Sequence, residues 1–224
     1  TTERREFVSL AQLAEELNVL AVGRSPESFA SCHSEQSEES HSAQDKLHEG
    51  EARQSLIADY VTFSGMGEPT LASNLGQAIE LAKSILPLPT AVLTNSSLIS
   101  REDVRYDLAK ADVVVAKLDA HSQELLTQIN RPVAGLLFGD IVEGIKLFRR
   151  EFKGKLCLQI MFVEANKIFA SEIAKVASSL SPDEVQIDTP LRPCTVEPLT
   201  SSQMASIKGN FDNLENVLTV YEAP

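Results

Sequence analysis

From Asp59 onward, short apolar runs of strand length take turns with segments of helical spacing. This alternation restricts the chain to very few architectures. The strand-like runs are Tyr60–Phe63, Ala91–Thr94, Asp112–Leu118, Leu156–Val163 and Glu184–Asp188. Between them, Ser73–Ile85 carries Leu75, Ile79, Leu81 and Ile85 at helical spacing, and Ser122–Gln128, Phe138–Phe152 and Ala170–Leu180 read as further helices. Another opens near Ser100, which can cap it, with Asp103 three residues on as a capping-box-like partner. Ser201–Phe211 reads as a closing helix. Repeated strand–helix units predict parallel strands joined by crossover helices. The near-continuous apolar strands predict cover on both faces. The expected fold class is α/β: a partial, incomplete β/α barrel of parallel strands with outer helices.

Polar residues gather just past the strand ends, at Glu68, Asn95, Asp119, Glu164 and Thr189. In parallel α/β folds the carboxyl ends of the strands are where ligands sit. The richest of these ends lies in Asp59–Leu71, D-Y-V-T-F-S-G-M-G-E-P-T-L. Gly65 and Gly67 let the backbone turn tightly and approach a ligand closely. The Glu68 carboxylate and neighbouring main-chain groups then suit a charged, amino-acid-like head group, and Pro69 fixes the exit from the turn. The structural alternative is a strand-to-helix turn whose carboxylate complements a helix dipole. Asn95 and Ser97 suit either a ribose or carboxylate contact or a helix cap. Asp119 ends a strand in the same way. Gln186 and Asp188 alternate with Val185 and Ile187, so they share one face of their strand. An unrelated barrel enzyme using Glu68 and Asp119 as acid–base groups is a further reading of the same residues.

The formal net charge of −12 opposes bulk binding to nucleic acid. Lys146, Arg149, Arg150, Lys153 and Lys155 cluster in sequence, a pattern expected of a solvated helix end. No apolar run approaches the ~18 residues that span a bilayer, and the first residues, T-T-E-R-R-E, lack a signal-peptide core. A cytoplasmic setting is expected. The three cysteines, Cys32, Cys157 and Cys194, form no CxxC pair, which argues against a disulfide framework. Cys157 lies in an apolar run and is expected in the core. Ser25–Gln54 is rich in Ser, Glu, Gln and His and almost free of apolar residues, so it reads as a low-complexity, mobile insertion. It holds Cys32, His33, His41 and His48, whose spacing fits no usual zinc pattern.

Outside that insertion, several segments between Thr1 and Pro198 carry a family likeness. They are T-T-E-R-R-E-F-V at Thr1–Val8, V-T-F-S-G-M-G-E-P-T-L at Val61–Leu71, A-V-L-T-N-S-S-L at Ala91–Leu98 and A-D-V-V-V-A-K-L-D-A at Ala111–Ala120. Q-I-N-R-P at Gln128–Pro132, M-F-V-E at Met161–Glu164 and V-Q-I-D-T-P-L-R-P at Val185–Pro193 complete the set. In order and separation these resemble the radical S-adenosylmethionine (SAM) superfamily, in the Fe–S oxidoreductase branch akin to wyosine-type tRNA-modifying enzymes. The G-x-G-E-P turn is similar to that superfamily's "GGEP" signature.

The resemblance implies reductive cleavage of SAM at a 4Fe-4S cluster. It implies SAM contacts from Gly65, Gly67, Glu68 and Pro69 to the amino group, and from Asn95, Ser97 and Asp119 to the ribose and carboxylate. It also implies a cluster held by C-x3-C-x2-C, and this chain contains no such motif. Ser96 stands where the resembling sequences often carry Gly. The expectation is therefore a radical SAM-like oxidoreductase, truncated and inactive as the chain stands. The alternative is a non-catalytic barrel remnant with at most weak SAM or nucleotide affinity. The resemblance brings in a tRNA substrate, which the acidic charge opposes. The expected layout is an N-terminal helix region at 1–24, the insertion at 25–58, the partial barrel at 59–198 and a C-terminal extension at 199–224. An exposed barrel edge would invite homodimer formation.

Overall fold

A computed structural model describes residues 2–21, 58–65 and 67–222. The Ser25–Gln54 insertion, with Cys32, His33, His41 and His48, lies outside the described residues. Six strands form one sheet in sequence order: β1 (Val61–Phe63), β2 (Thr90–Thr94), β3 (Val113–Lys117), β4 (Lys155–Met161), β5 (Glu184–Asp188) and β6 (Val217–Thr219). Every neighbouring pair is parallel. The helices are α1 (Leu10–Ala21), α2 (Leu75–Ile85), α3 (Glu102–Leu108), α4 (Gln123–Asn130), α5 (Phe138–Glu151), α6 (Ala170–Ser179) and α7 (Ser201–Lys208). This is the expected α/β class. Among the described residues the sheet runs from β1 to β6 without closing, as in a partial barrel.

The two faces of the sheet differ in chemistry. Val114, Ala116, Leu118, Leu156, Leu158, Ile160, Val185 and Ile187 are buried and pack with helix residues such as Ile79, Ile145, Phe148 and Ile173. The intervening residues point the other way. Register pairs Lys117 with Gln159 and Gln159 with Gln186 on that second face. The Gln159 amide donates to the Asp188 carboxylate at 2.8 Å, which places Asp188 there too. Gln186 and Asp188 therefore share one face, as their alternation predicts.

Two local expectations are revised. Ser100 does not cap α3: Arg101 occupies the cap position, without a side-chain cap bond. Asp103 is drawn instead into bonds with Arg101 and Arg4, at 2.9 Å each. These guanidinium bonds, Arg101 first, hold the Asp103 carboxyl down at about 2. The second revision is β6, which the sequence reading omits. Its three residues, Val217–Thr219, are too few to show a period.

Arg4 ties the N-terminal arm down. It donates to the Thr70 and Ala72 carbonyls at 2.9 and 2.7 Å and also pairs with Asp107. The arm therefore lies across the turn that follows Glu68. On α5 and β4, Arg149 forms a two-pronged pair with Asp183, and Lys155 pairs with Glu184. Two of the five clustered cations are thus neutralised locally. Cys157 is buried, as expected, and burial pushes its thiol up to about 12. Among the described residues, no helix is long and apolar enough to cross a membrane.

Candidate functional site

The carboxyl ends of β1, β2 and β3 meet around one cavity of about 310 Å³. Glu68, Asn95, Ser97 and Asp119 line it, joined by Lys117, Asn130 and Arg131 and by the apolar Leu126, Val133 and Phe138. A pocket of this size with a few convergent polar groups on apolar walls suits a small molecule. Thr2 reaches it from the arm that Arg4 anchors.

Gly65 takes φ 137°, a left-handed value that favours glycine. Both Gly65 and Gly67 face open space, with nothing within 4 Å of an added Cβ. The turn therefore presents bare backbone. Glu68 then locks the end of β1 to the end of β2. Its Oε1 accepts from the Thr70 nitrogen (3.1 Å), the Thr70 hydroxyl (2.7 Å) and the Thr94 hydroxyl (2.6 Å). Its Oε2 accepts from the Asn95 nitrogen at 2.7 Å. A carboxylate oxygen offers about two lone-pair sites, so Oε2 keeps acceptor capacity toward the cavity. Asn95 turns its own oxygen onto the Ser97 nitrogen at 2.9 Å, an Asx-type turn that shapes the rim. Ser96, between them, is fully buried at φ 66°, and its hydroxyl has no partner among the described residues.

Asp119 is buried at the end of β3. One oxygen accepts from the Met161 nitrogen at 2.8 Å, and the other accepts from the Asn130 amide at 2.6 Å and lies 3.3 Å from the Lys117 ammonium. It anchors β4, α4 and Lys117 at once. Asp188 shares the face that Lys117 occupies. Burial raises its carboxyl, with the Asp119 charge adding to the rise, while Gln159 and Lys117 pull the other way.

The other sequence candidates divide clearly. Gly65, Gly67 and Pro69 build the turn but do not line the cavity. Glu164 pairs with Lys167 at the surface, and Thr189 is buried, accepting from the Leu199 nitrogen. Both are structural here. Sequence reasoning assigned no role to Lys117, Asn130 or Arg131. The signal available was Q-I-N-R-P: Arg131 ends α4 in the left-handed region at φ 47° and ψ 57°, directly before Pro132.

No family model matches the chain. It is 40% identical over 136 residues to a UPF0026 protein of Synechocystis, covering 60% of this chain and 51% of that protein. It is 39% identical over 138 residues to a UPF0026 protein of Methanocaldococcus jannaschii, covering 60% of this chain and 43% of that protein. The chain thus spans about half the length of the curated relatives it matches. Its fold is similar to that of TYW1 with a lysine-pyruvate adduct bound, with a TM-score of 0.60 and 18% identity over 72% of this chain and 52% of that one. It is also similar to a radical SAM methyltransferase from Sphaerobacter thermophilus, with a TM-score of 0.55 and 16% identity over 72% and 50% of the two chains. What the chain shares with these structures is the fold, a partial barrel of parallel strands.

Proposed function

We propose that the cavity binds S-adenosylmethionine by its methionine end and that the chain serves a radical SAM-type reaction. One observation carries this reading: Glu68, Asn95, Ser97 and Asp119, from three successive strand ends, line a single cavity on a radical SAM-like fold. The spare acceptor of Glu68 Oε2 suits the ammonium group, and Gly65 and Gly67 shape the turn that sets Glu68 in the cavity. Pro69 holds that turn. Asn95 and Ser97 on the rim suit a ribose or carboxylate, and buried Asp119 fixes the far wall.

A 4Fe-4S cluster would supply the electron that cleaves SAM, but the residues present do not fit one. Among the described residues, no group of three or more His, Cys, Asp or Glu side chains could hold a metal ion. Cys157 is a buried, poorly acidic thiol within β4, and Cys194 is exposed and donates to the Val196 carbonyl. Thiolate, not thiol, is the iron ligand. This favours a second reading for the chain by itself, a SAM-binding barrel without catalysis. Free thiols at Cys157 and Cys194 suit a cytoplasmic setting.

Calorimetric titration with SAM tests the proposal. Saturable one-to-one binding, weakened about tenfold by Asn95→Ala as one or two polar contacts are lost, is the expected result. Absence of binding to the wild-type chain would refute it.

A further inference from the structure

Four charged side chains line the cavity: Glu68, Lys117, Asp119 and Arg131. Three are engaged. Glu68 is held by Thr70, Thr94 and the Asn95 nitrogen, while Asp119 and Lys117 hold each other. Arg131 differs: it is exposed, and no described residue pairs with its guanidinium. Its backbone is also strained. A residue with a Cβ at φ 47° and ψ 57° occupies a sparsely populated region, and a following proline disfavours helical conformations further. Strain of this kind persists where surrounding structure enforces it, and it collects at ligand-binding positions. Here α4 ends in Asn130, whose amide is fixed on Asp119, and the chain then turns at Arg131 along the cavity wall.

We propose that Arg131 is the anion-recognising residue of this cavity and selects a second small molecule bearing a carboxylate or phosphate group. The guanidinium fork matches both oxyanions in a two-pronged way that a lysine ammonium does not. Val133, Leu136 and Phe138 beside it supply an apolar wall for the body of that molecule. The inference shares the cavity with the SAM reading and deepens it by naming the class of co-substrate. In the SAM reading the donor meets Glu68 and the Asn95–Ser97 rim and not Arg131, so the two sites respond differently to loss of Arg131.

The test uses the full chain with inorganic phosphate and acetate as separate probes, at constant ionic strength, followed by amide chemical shifts. Three proteins are compared: wild type, Arg131→Gly and Arg131→Lys. Glycine removes the guanidinium while relaxing the left-handed backbone, so unfolding does not explain a loss. Saturable shifts at residues 130–133 by either anion, weakened about tenfold or more in Arg131→Gly and less in Arg131→Lys, are expected. SAM affinity should stay within about twofold of wild type in both variants, a change worth well under one hydrogen bond. Equal anion affinity in Arg131→Gly, or shifts that never saturate, would overturn the inference. A matching loss of SAM affinity would also overturn it, by making Arg131 part of the donor site. If wild type ignores SAM but binds an anion through Arg131, only the SAM reading fails.

Discussion

Replacing Ser96 with glycine should stabilise the protein, although it deletes a fully buried side chain. Ser96 sits between the two rim residues Asn95 and Ser97 at φ 66°, and its buried hydroxyl has no partner among the described residues. Holding a residue with a Cβ in the left-handed region costs about 1–2 kcal/mol. A buried hydroxyl without a partner costs about 1–3 kcal/mol. Glycine removes both, and its greater freedom in the unfolded chain returns about 0.5–1 kcal/mol of the gain. The net expectation is about 2 kcal/mol. For a chain of this length that corresponds to a melting temperature higher by about 4–8 °C. The turn itself should survive, because its bonds are backbone bonds: the Ser96 nitrogen donates to the Thr94 hydroxyl and its carbonyl accepts from the Ile99 nitrogen. Ser96→Ala serves as the internal control. It removes the hydroxyl but keeps the Cβ, so it should recover only the hydroxyl share. Urea unfolding of the three proteins, read by circular dichroism, gives both differences. A Ser96→Gly variant less stable than wild type would refute the reasoning. Equal stability of Ser96→Gly and Ser96→Ala would put the backbone strain at no more than about 0.5–1 kcal/mol, the cost of glycine's freedom, below the expected range.

Two further outcomes follow from the same geometry. Glu68→Ala removes the acceptor of four bonds, two from Thr70 within the turn and two from the Thr94 hydroxyl and the Asn95 nitrogen that join β1 to β2. At about 1 kcal/mol each it should lower the melting temperature by about 10 °C, and an unchanged melt would show that Glu68 does not clamp the rim. Asp188, raised above its ordinary 3.8 by burial, gives the opposite sign to a salt-bridged carboxylate. The folded state holds its proton more tightly, so stability falls as pH rises from about 3.8 through the raised value. Asp188→Asn removes that slope, so its stability relative to wild type should improve between pH 4 and pH 7 in urea midpoints. A relative loss over that range would contradict the assignment.

Much of the scaffold was legible because its signals are local and repeated. Five apolar runs, with helical spacing between them, suffice to point to parallel pairing. The polar strand ends also pointed to Glu68, Asn95, Ser97 and Asp119, which line one cavity. What escaped was set by tertiary structure. Strand β6 is three residues long and reads as strand only beside β5. Ser100 carries a capping pattern, yet Asp103 is taken by Arg101 beside it and by Arg4 from the far end of the chain. Glu68 looked like a free ligand group, but a glutamate followed by Thr70 and facing Thr94 finds most of its partners within the protein. Lys117 and Arg131 lie in the family-like segments Ala111–Ala120 and Gln128–Pro132, but neither segment says which way their side chains face. Their role depends on α4 folding back so that Asn130 meets Asp119.

The account stands or falls on where SAM binds. Amide chemical shifts recorded during a SAM titration of the wild-type chain locate it directly, with adenosine as a competitor lacking the methionine end. Saturable shifts concentrated at the cavity residues Glu68, Asn95, Ser97 and Asp119 are predicted, with adenosine displacing SAM only at large excess because it lacks the methionine end. Shifts centred elsewhere on the sheet, or adenosine competing as well as SAM itself, would contradict it.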